Sequence, residues 1–521
     1  MRRSGYIWGR PGLPFLFALL LIAVCGLAAC SSRKPLHPPG TEIVVALEAA
    51  PTNLDPRLST DAYSERVGQV LFRKLVRIGR SGEPVADLAT SWETPSPTVY
   101  RFHLDPRARF HDGTPVTARD VNYTFRWILN PDNKSPHRTA YEQVTDIVVE
   151  DDHTIRFELS HPHAPFLVNM VRGIVPAHLG DDPAYRDHPV GSGPYRLLEY
   201  VPGVAIRMEA VADYPQGAPP TRWLTFRILP EDTVRLLALK KGEVHLVMSA
   251  LPPDSIDLLA REPNLVVERG PGTNYNYLGF NLTDPLLSRL LVRQAIALAI
   301  DRQSIVDSLY RNQATLATGL LTPEHWAYAA DVETWNHDPE RARKLLDAAG
   351  FPDPPGPEPR FRLAYKTSQN ELTRRIGEVL QQQLAEVGIA VSVRSYEWGT
   401  FYGDIKSGNF QLYTLSWVGI ADPDMYYFAF HSTSAPPEGA NRGRYVNPEV
   451  DRLVEAGRLA TNRDERAVIY RDVQRILARD LPYVSLWHPQ VVVVRDRRLS
   501  GFELTPRGDY DSLARTRFIV P

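Results

Sequence analysis

Two rhythms of apolar residues alternate along the chain, one at the spacing of a helix face and one at the period of a strand. Residues 42–47 (EIVVAL) read as a buried strand. Residues 61–76 follow as an amphipathic helix, with Val67, Val70, Leu71, Leu75 and Val76 on one side. Residues 99–104 alternate as a strand, His111 to Pro115 form a turn, and Thr117 can cap a helix whose apolar face holds Val121, Phe125, Ile128 and Leu129. Further strands are expected at 204–209 and 224–229, with a helix at 233–241. The second half repeats the alternation. A buried helix at 289–300 comes first, then a helix opened by Asp338-Pro339 and stopped at Gly350. A strand at 361–366 leads to a helix with Leu372, Ile376, Val379, Leu380, Leu384 and Val387 on one face, and a strand at 389–393 follows Gly388. Asn447-Pro448 caps another helix, 463–481 is a further one, and 482–494 (PYVSLWHPQVVVV) returns as a strand. Helices interleaved with strands in this way define an α/β protein with mixed sheets.

One stretch departs from plain core patterning. Residues 397–427 carry Trp398 and Trp417 and four tyrosines. Residues 400–406 predict a short helix, Ser407-Gly408-Asn409 a turn, and 410–417 a buried strand that opens into a loop at 418–423. The end of a strand that opens into a loop of Gly, Asp and Pro is where an α/β protein places a ligand.

Composition narrows the class. The 521 residues suffice for two or more lobes, and 43% hydrophobic with 23% charged residues is ordinary for a globular protein. The first ten residues hold Arg2, Arg3 and Arg10, and residues 13–24 (LPFLFALLLIAV) are an apolar run too short for a comfortable membrane span. Leu27-Ala28-Ala29-Cys30 closes it and resembles a bacterial lipobox, which implies cleavage after residue 29 and acylation of Cys30. Without the three arginines the chain has 56 basic against 61 acidic residues, so it lacks the basic footprint of a nucleic-acid binder. The one other cysteine, Cys25, lies in the discarded leader, which leaves no disulfide and no thiolate metal site. Residues 30–40 are polar and Pro-rich, as a tether between lipid and domain would be.

Several motifs fall in an order that resembles family 5 of the extracellular solute-binding proteins, the peptide and nickel receptors of bacterial ABC importers. They are LATSW at 88–92, YRFHL at 100–104, FHDGTPVTARDV at 110–121, VGSGPY at 190–195 and KGEV at 241–244. YLGFN at 277–281, VRQAIALAIDR at 292–302 and NPEVDRL at 447–453 continue the series. The resemblance implies a two-lobed periplasmic binding protein of the large, type II peptide-binding class, with a hinge between lobes. It divides the chain into a leader at 1–29, a tether at 30–40, a first lobe at 41–280 with an inserted subdomain near 57–185, a second lobe at 281–485, and a return to the first lobe at 486–521. It places Trp398 and Trp417, nineteen residues apart, in the cleft, with Trp487 as a further wall. Tyr275, Asn276 and Asp422 are the polar candidates. The peptide branch carries an acid three residues after the second tryptophan, where it pairs with the peptide's ammonium. Here that position is Ile420. Unpaired burial of such a charge costs on the order of 3–5 kcal/mol. Asp422 substitutes if its loop swings inward; otherwise the ligand has no free amine.

No residues assemble into catalytic chemistry. GxSxG, HExxH and P-loop patterns are absent, and His111-Asp112 sits on a turn with no nucleophile beside it. The Gly191-Ser192-Gly193 turn lacks the third glycine and the βαβ setting of a dinucleotide loop. His161 and His163 form the closest histidine pair but lack further spaced ligands. The expected protein is therefore a monomeric, lipid-anchored, non-enzymatic receptor with no cofactor or metal. It would hand a small solute, foremost a peptide, to permease and ATPase subunits. A nickel chelate or other non-peptide ligand, a sensor partner in place of a permease, and an enzyme, either a hydrolase or a cell-surface processing protein, remain as alternatives.

Overall fold

The computed structural model describes residues 37–519 apart from Pro39, Ser81 and Glu438. The leader, Cys30 and most of the tether lie outside the described residues. Two large mixed sheets organise the chain. The first has seven strands, in the order Leu265–Gly270, Val491–Asp496, Leu246–Met248, Glu42–Leu47, Trp223–Ile228, Ala205–Ala210 and Tyr195–Val201. The second has six, in the order Ala314–Leu316, Tyr483–Pro489, Tyr275–Phe280, Leu412–Trp417, Phe361–Ser368 and Ile389–Tyr396. Each sheet is covered by its own apolar clusters, which makes two lobes.

A four-stranded antiparallel sheet, Ala89–Ser96, Val99–Leu104, Thr154–Leu159 and Val144–Asp151, forms a separate layer attached to the first lobe. The helix Ala118–Leu129 buries Val121, Phe125 and Ile128 against that layer's core, and a capping box between Thr117 and Asp120 starts it. The preceding helix, Ala62–Leu71, is shorter than its apolar stripe predicts. Phe72 turns extended, Arg73 is buried between Asp87 and Asp105, and Leu75 and Val76 enter the core of the four-stranded layer.

The His111-Asp112 turn and the Gly191-Ser192-Gly193 turn meet at this helix end. The His111 ring accepts from the Gly191 N–H (3.2 Å) and donates to the Gly193 carbonyl (3.0 Å). Burial holds the ring neutral, with its pKa lowered to about 4. A Cβ on Gly191 would lie 1.9 Å from the Leu71 carbonyl oxygen. Both glycines are therefore packing residues that let the loop lie on the helix terminus. Gly191→Ala is expected to cost about 3 kcal/mol or more of stability in urea denaturation, because the obstacle is backbone that cannot rotate away.

The lobes are joined by two crossings, and their positions differ from the expected boundaries. Tyr275–Phe280 pairs with Leu412–Trp417 and Tyr483–Pro489, so it belongs to the second sheet and not to the end of the first lobe. The expected single strand at 482–494 is two strands in two sheets, broken at Gln490. The crossings are thus residues 271–274 and Gln490. They touch closely: a Cβ on Gly272 would lie 2.2 Å from the Pro489 carbonyl oxygen. After the second crossing, Leu499, Phe502, Tyr510 and Leu513 pack into the first-lobe core.

Candidate ligand-binding site

The strand Leu412–Trp417 ends beside the crossings. Trp417 is opposite Tyr275, and the Gly419 N–H donates to the Asn274 side chain at 3.0 Å. Glu397 caps the helix Trp398–Ser407 through the N–H groups of Gly399 and Thr400, and Gly408 ends it in the left-handed conformation (φ 81°). The loop 418–424 then leads into a short helix, Met425–Phe430, that the sequence pattern did not predict.

These elements assemble a ladder of rings. Trp398 stacks on Tyr402 at 5.4 Å, and the Arg442 guanidinium lies over Tyr402 at 5.5 Å and over Trp417 at 4.5 Å. Trp417 in turn stacks on Tyr277 at 6.2 Å. Arg442 donates from Nη1 to the Tyr277 hydroxyl (2.9 Å) and from Nη2 to the Tyr402 hydroxyl (3.2 Å). Trp398 is half-exposed, Tyr402 and Trp417 are partly open, and Ser416 and Val418 face solvent. The two tryptophans singled out in the sequence are thus brought together by an arginine that the sequence reading missed.

The other sequence candidates fall differently. Trp487 is fully buried in the second-lobe core against Tyr310, with no surface to offer a ligand. The strand that carries it is covered on both faces, so alternation does not lead to the cleft. Tyr275 is buried, and its hydroxyl pairs with that of Ser485 at 2.7 Å. Asn276 is held by the Ser416 hydroxyl (3.1 Å) and reaches Tyr310 (3.3 Å). Asp422 does not swing inward: it makes a two-pronged ion pair with Arg466 at 2.8 and 3.2 Å. Asp424 does the same with Arg458 at 2.7 and 3.0 Å. Ile420 is buried. A pocket of about 50 Å³ beside Tyr275 is lined by second-lobe residues and is too small for a peptide. The open rings at the strand end, beside the crossings, are the candidate site.

The first lobe and its four-stranded layer close over this loop. The Ala164 N–H donates to the Arg458 carbonyl at 2.7 Å, and Gly82 lies against the Ala421 carbonyl. His163 is buried at this seam, with Nε2 unpaired among the described residues. Its charged surroundings are Arg458, His161, Asp422 and Arg466. Burial, then Arg458, lowers its pKa to about 3. Closure thus favours the neutral ring; its contribution is full above pH 6.5 and is lost as pH falls from there toward 3. Ligand affinity is expected to drop by up to about tenfold per pH unit below pH 6. Titration calorimetry across pH checks this, and His163→Gln is expected to flatten the profile.

Two lobes, each built on its own sheet and joined by two adjacent crossings with open aromatic rings beside them, are the architecture of the two-lobed solute-binding class. The family model for bacterial extracellular solute-binding proteins, family 5, matches residues 83–438, and the chain belongs to that family. It is 27% identical over 536 residues to di/tripeptide-binding protein 2 of Pseudomonas aeruginosa, covering 96% of this chain and 98% of that one. It is 27% identical to the dipeptide-binding protein of Escherichia coli, covering 90% and 93%. Among solved structures it matches the oligopeptide-binding protein AppA of Bacillus subtilis in complex with a nonapeptide, with a TM-score of 0.86 and 26% identity over 92% of this chain and 99% of that one. No helix among the described residues is long and apolar enough to cross a membrane.

Proposed function

We propose that this protein is the ligand-capturing component of an ABC importer, and that it takes a peptide or peptide-like solute between its lobes. The observation that carries this reading is the set of open rings at Trp398, Tyr402 and Trp417 beside the two crossings, next to the loop where the first lobe meets Ala421 and Arg458. A ligand that touches both lobes favours the closed form by its differential affinity. The closed form then docks on permease subunits, whose ATPase partners do the work; this chain breaks no bond. The peptide-binding relatives support the ligand class. The basic leader and Leu27-Ala28-Ala29-Cys30 support cleavage before Cys30, lipid on its sulfur and a chain tethered at a membrane surface.

Mass spectrometry of small molecules released by denaturing the purified chain tests the reading. Peptides released in near-stoichiometric amount support it. A metal chelate or a sugar in their place would redirect the ligand class.

A further inference from the structure

We propose that Arg442 receives a carboxylate of the ligand, so that the groove is anchored on an anionic group and does without a free amine. The proposal deepens the peptide reading and rests on it for the choice of ligand.

The starting observation is a comparison among the buried arginines. Arg57 pairs with Asp55, Arg73 with Asp87 and Asp105, and Arg466 with Asp422. Arg235 reaches Asp232 and three main-chain carbonyls. Arg293 is wrapped by the carbonyls of Leu287, Ser288, Asp480 and Leu481. Arg442 is 6% exposed, yet its hydrogen-bond partners among the described residues are two phenol oxygens. Its Nε has no hydrogen-bond partner among the described residues. A guanidinium taken out of water without an anion is costly, and five donors in a planar fork suit a carboxylate.

Location gives this unused capacity a role. Arg442 stands between Tyr402 and Trp417, the rings that line the groove, with exposed Trp398 and Ser416 beside them. The phenol oxygens of Tyr277 and Tyr402 already accept from the guanidinium, and the partly open Tyr402 keeps its O–H to donate. Aromatic faces on either side hold the fork in one plane and exclude water from it.

The acids of the loop complete the case. Asp422 and Asp424 are both consumed by arginines, and Ile420 offers no charge. No carboxylate of residues 417–424 is left to receive an ammonium, while a cation without an anion lies between the rings. The position between Tyr402 and Trp417 thus favours a ligand's negative end.

The test compares trialanine, N-acetyl-trialanine and trialanine amide by titration calorimetry, with glutarate as an amine-free dicarboxylate. Acetylation is expected to leave Kd within about threefold, whereas amidation weakens binding about thirtyfold or more. Arg442→Gln should weaken the two acids similarly and leave the amide unchanged; Arg442→Lys should recover part of the loss. If the variants do not fold, the three wild-type titrations still decide. An amide as tight as the acid, or binding abolished by acetylation, overturns the proposal and leaves the peptide reading standing. Glutarate bound by the wild type but not by Arg442→Gln, with no peptide bound, keeps the carboxylate site and discards peptides. No binding of any of the four sinks both.

Discussion

Asp422→Ala is expected to destabilise the second lobe by about 3–5 kcal/mol, read as a lowered denaturation midpoint, because it strands a buried guanidinium. Asp422 and Arg466 are both almost fully shielded and meet through two charge-assisted hydrogen bonds. Asp422 also accepts from the Asp424 N–H at 2.8 Å, which fixes the start of the helix Met425–Phe430. Arg466→Ala should cost a similar amount, since the lost partner is the same pair seen from the other side. The exposed pair Arg374–Glu378 provides the contrast: its removal should change stability by no more than about 0.5 kcal/mol. An Asp422 variant that keeps its midpoint but loses ligand would reverse the assignment and return this carboxylate to the groove.

Trp417→Ala is expected to weaken ligand binding by about 2 kcal/mol or more, roughly thirtyfold, as removal of a central aromatic anchor does. The indole is stacked between Arg442 and Tyr277 and touches Phe428, so its loss widens the groove and frees the guanidinium. Trp417→Phe keeps a ring in place and should retain most of the affinity. Trp487→Phe serves as the comparison within the core: it should alter stability and leave Kd alone, because Trp487 has no face toward the groove. Calorimetric titration of the variants, each checked for its denaturation midpoint, separates the two effects.

Much of this architecture was legible in the residues. The strand Glu42–Leu47 and the helix Ala118–Leu129 follow from period and capping alone, and the ordered motifs carried the family. The glycines of residues 190–195 turned out to answer a local need, close approach to a helix end. What stayed hidden depends on long-range contacts. The run at 482–494 is apolar throughout, so nothing in its pattern shows that Gln490 divides two sheets. Leu75 and Val76 keep the helical period after the backbone has left the helix. Trp487 was misplaced because a strand buried on both faces gives no sign of which face meets a cleft. Arg442 lies in a polar, glycine-bearing loop (ANRGR) with no periodicity; only the fold sets it between Tyr402 and Trp417.

The role of Asp422 shows the limit of motif transfer. The sequence departs from the peptide branch at Ile420, and the nearest acid was the natural substitute. The structure instead assigns both loop acids to arginines on the two helices Pro448–Leu459 and Arg463–Asp480. Those pairs hold the loop under the closing layer, where Ala164 meets Arg458. Arg442, the guanidinium between Tyr402 and Trp417, has no carboxylate partner among the described residues.

Hydrogen exchange with and without trialanine, resolved by peptide mass spectrometry, bears most directly on capture between two lobes. Protection is predicted to appear together in the strand end and loop 415–424 of the second lobe and in segments 80–84 and 161–166 of the first. Protection confined to one lobe, or none at saturating ligand, would contradict it.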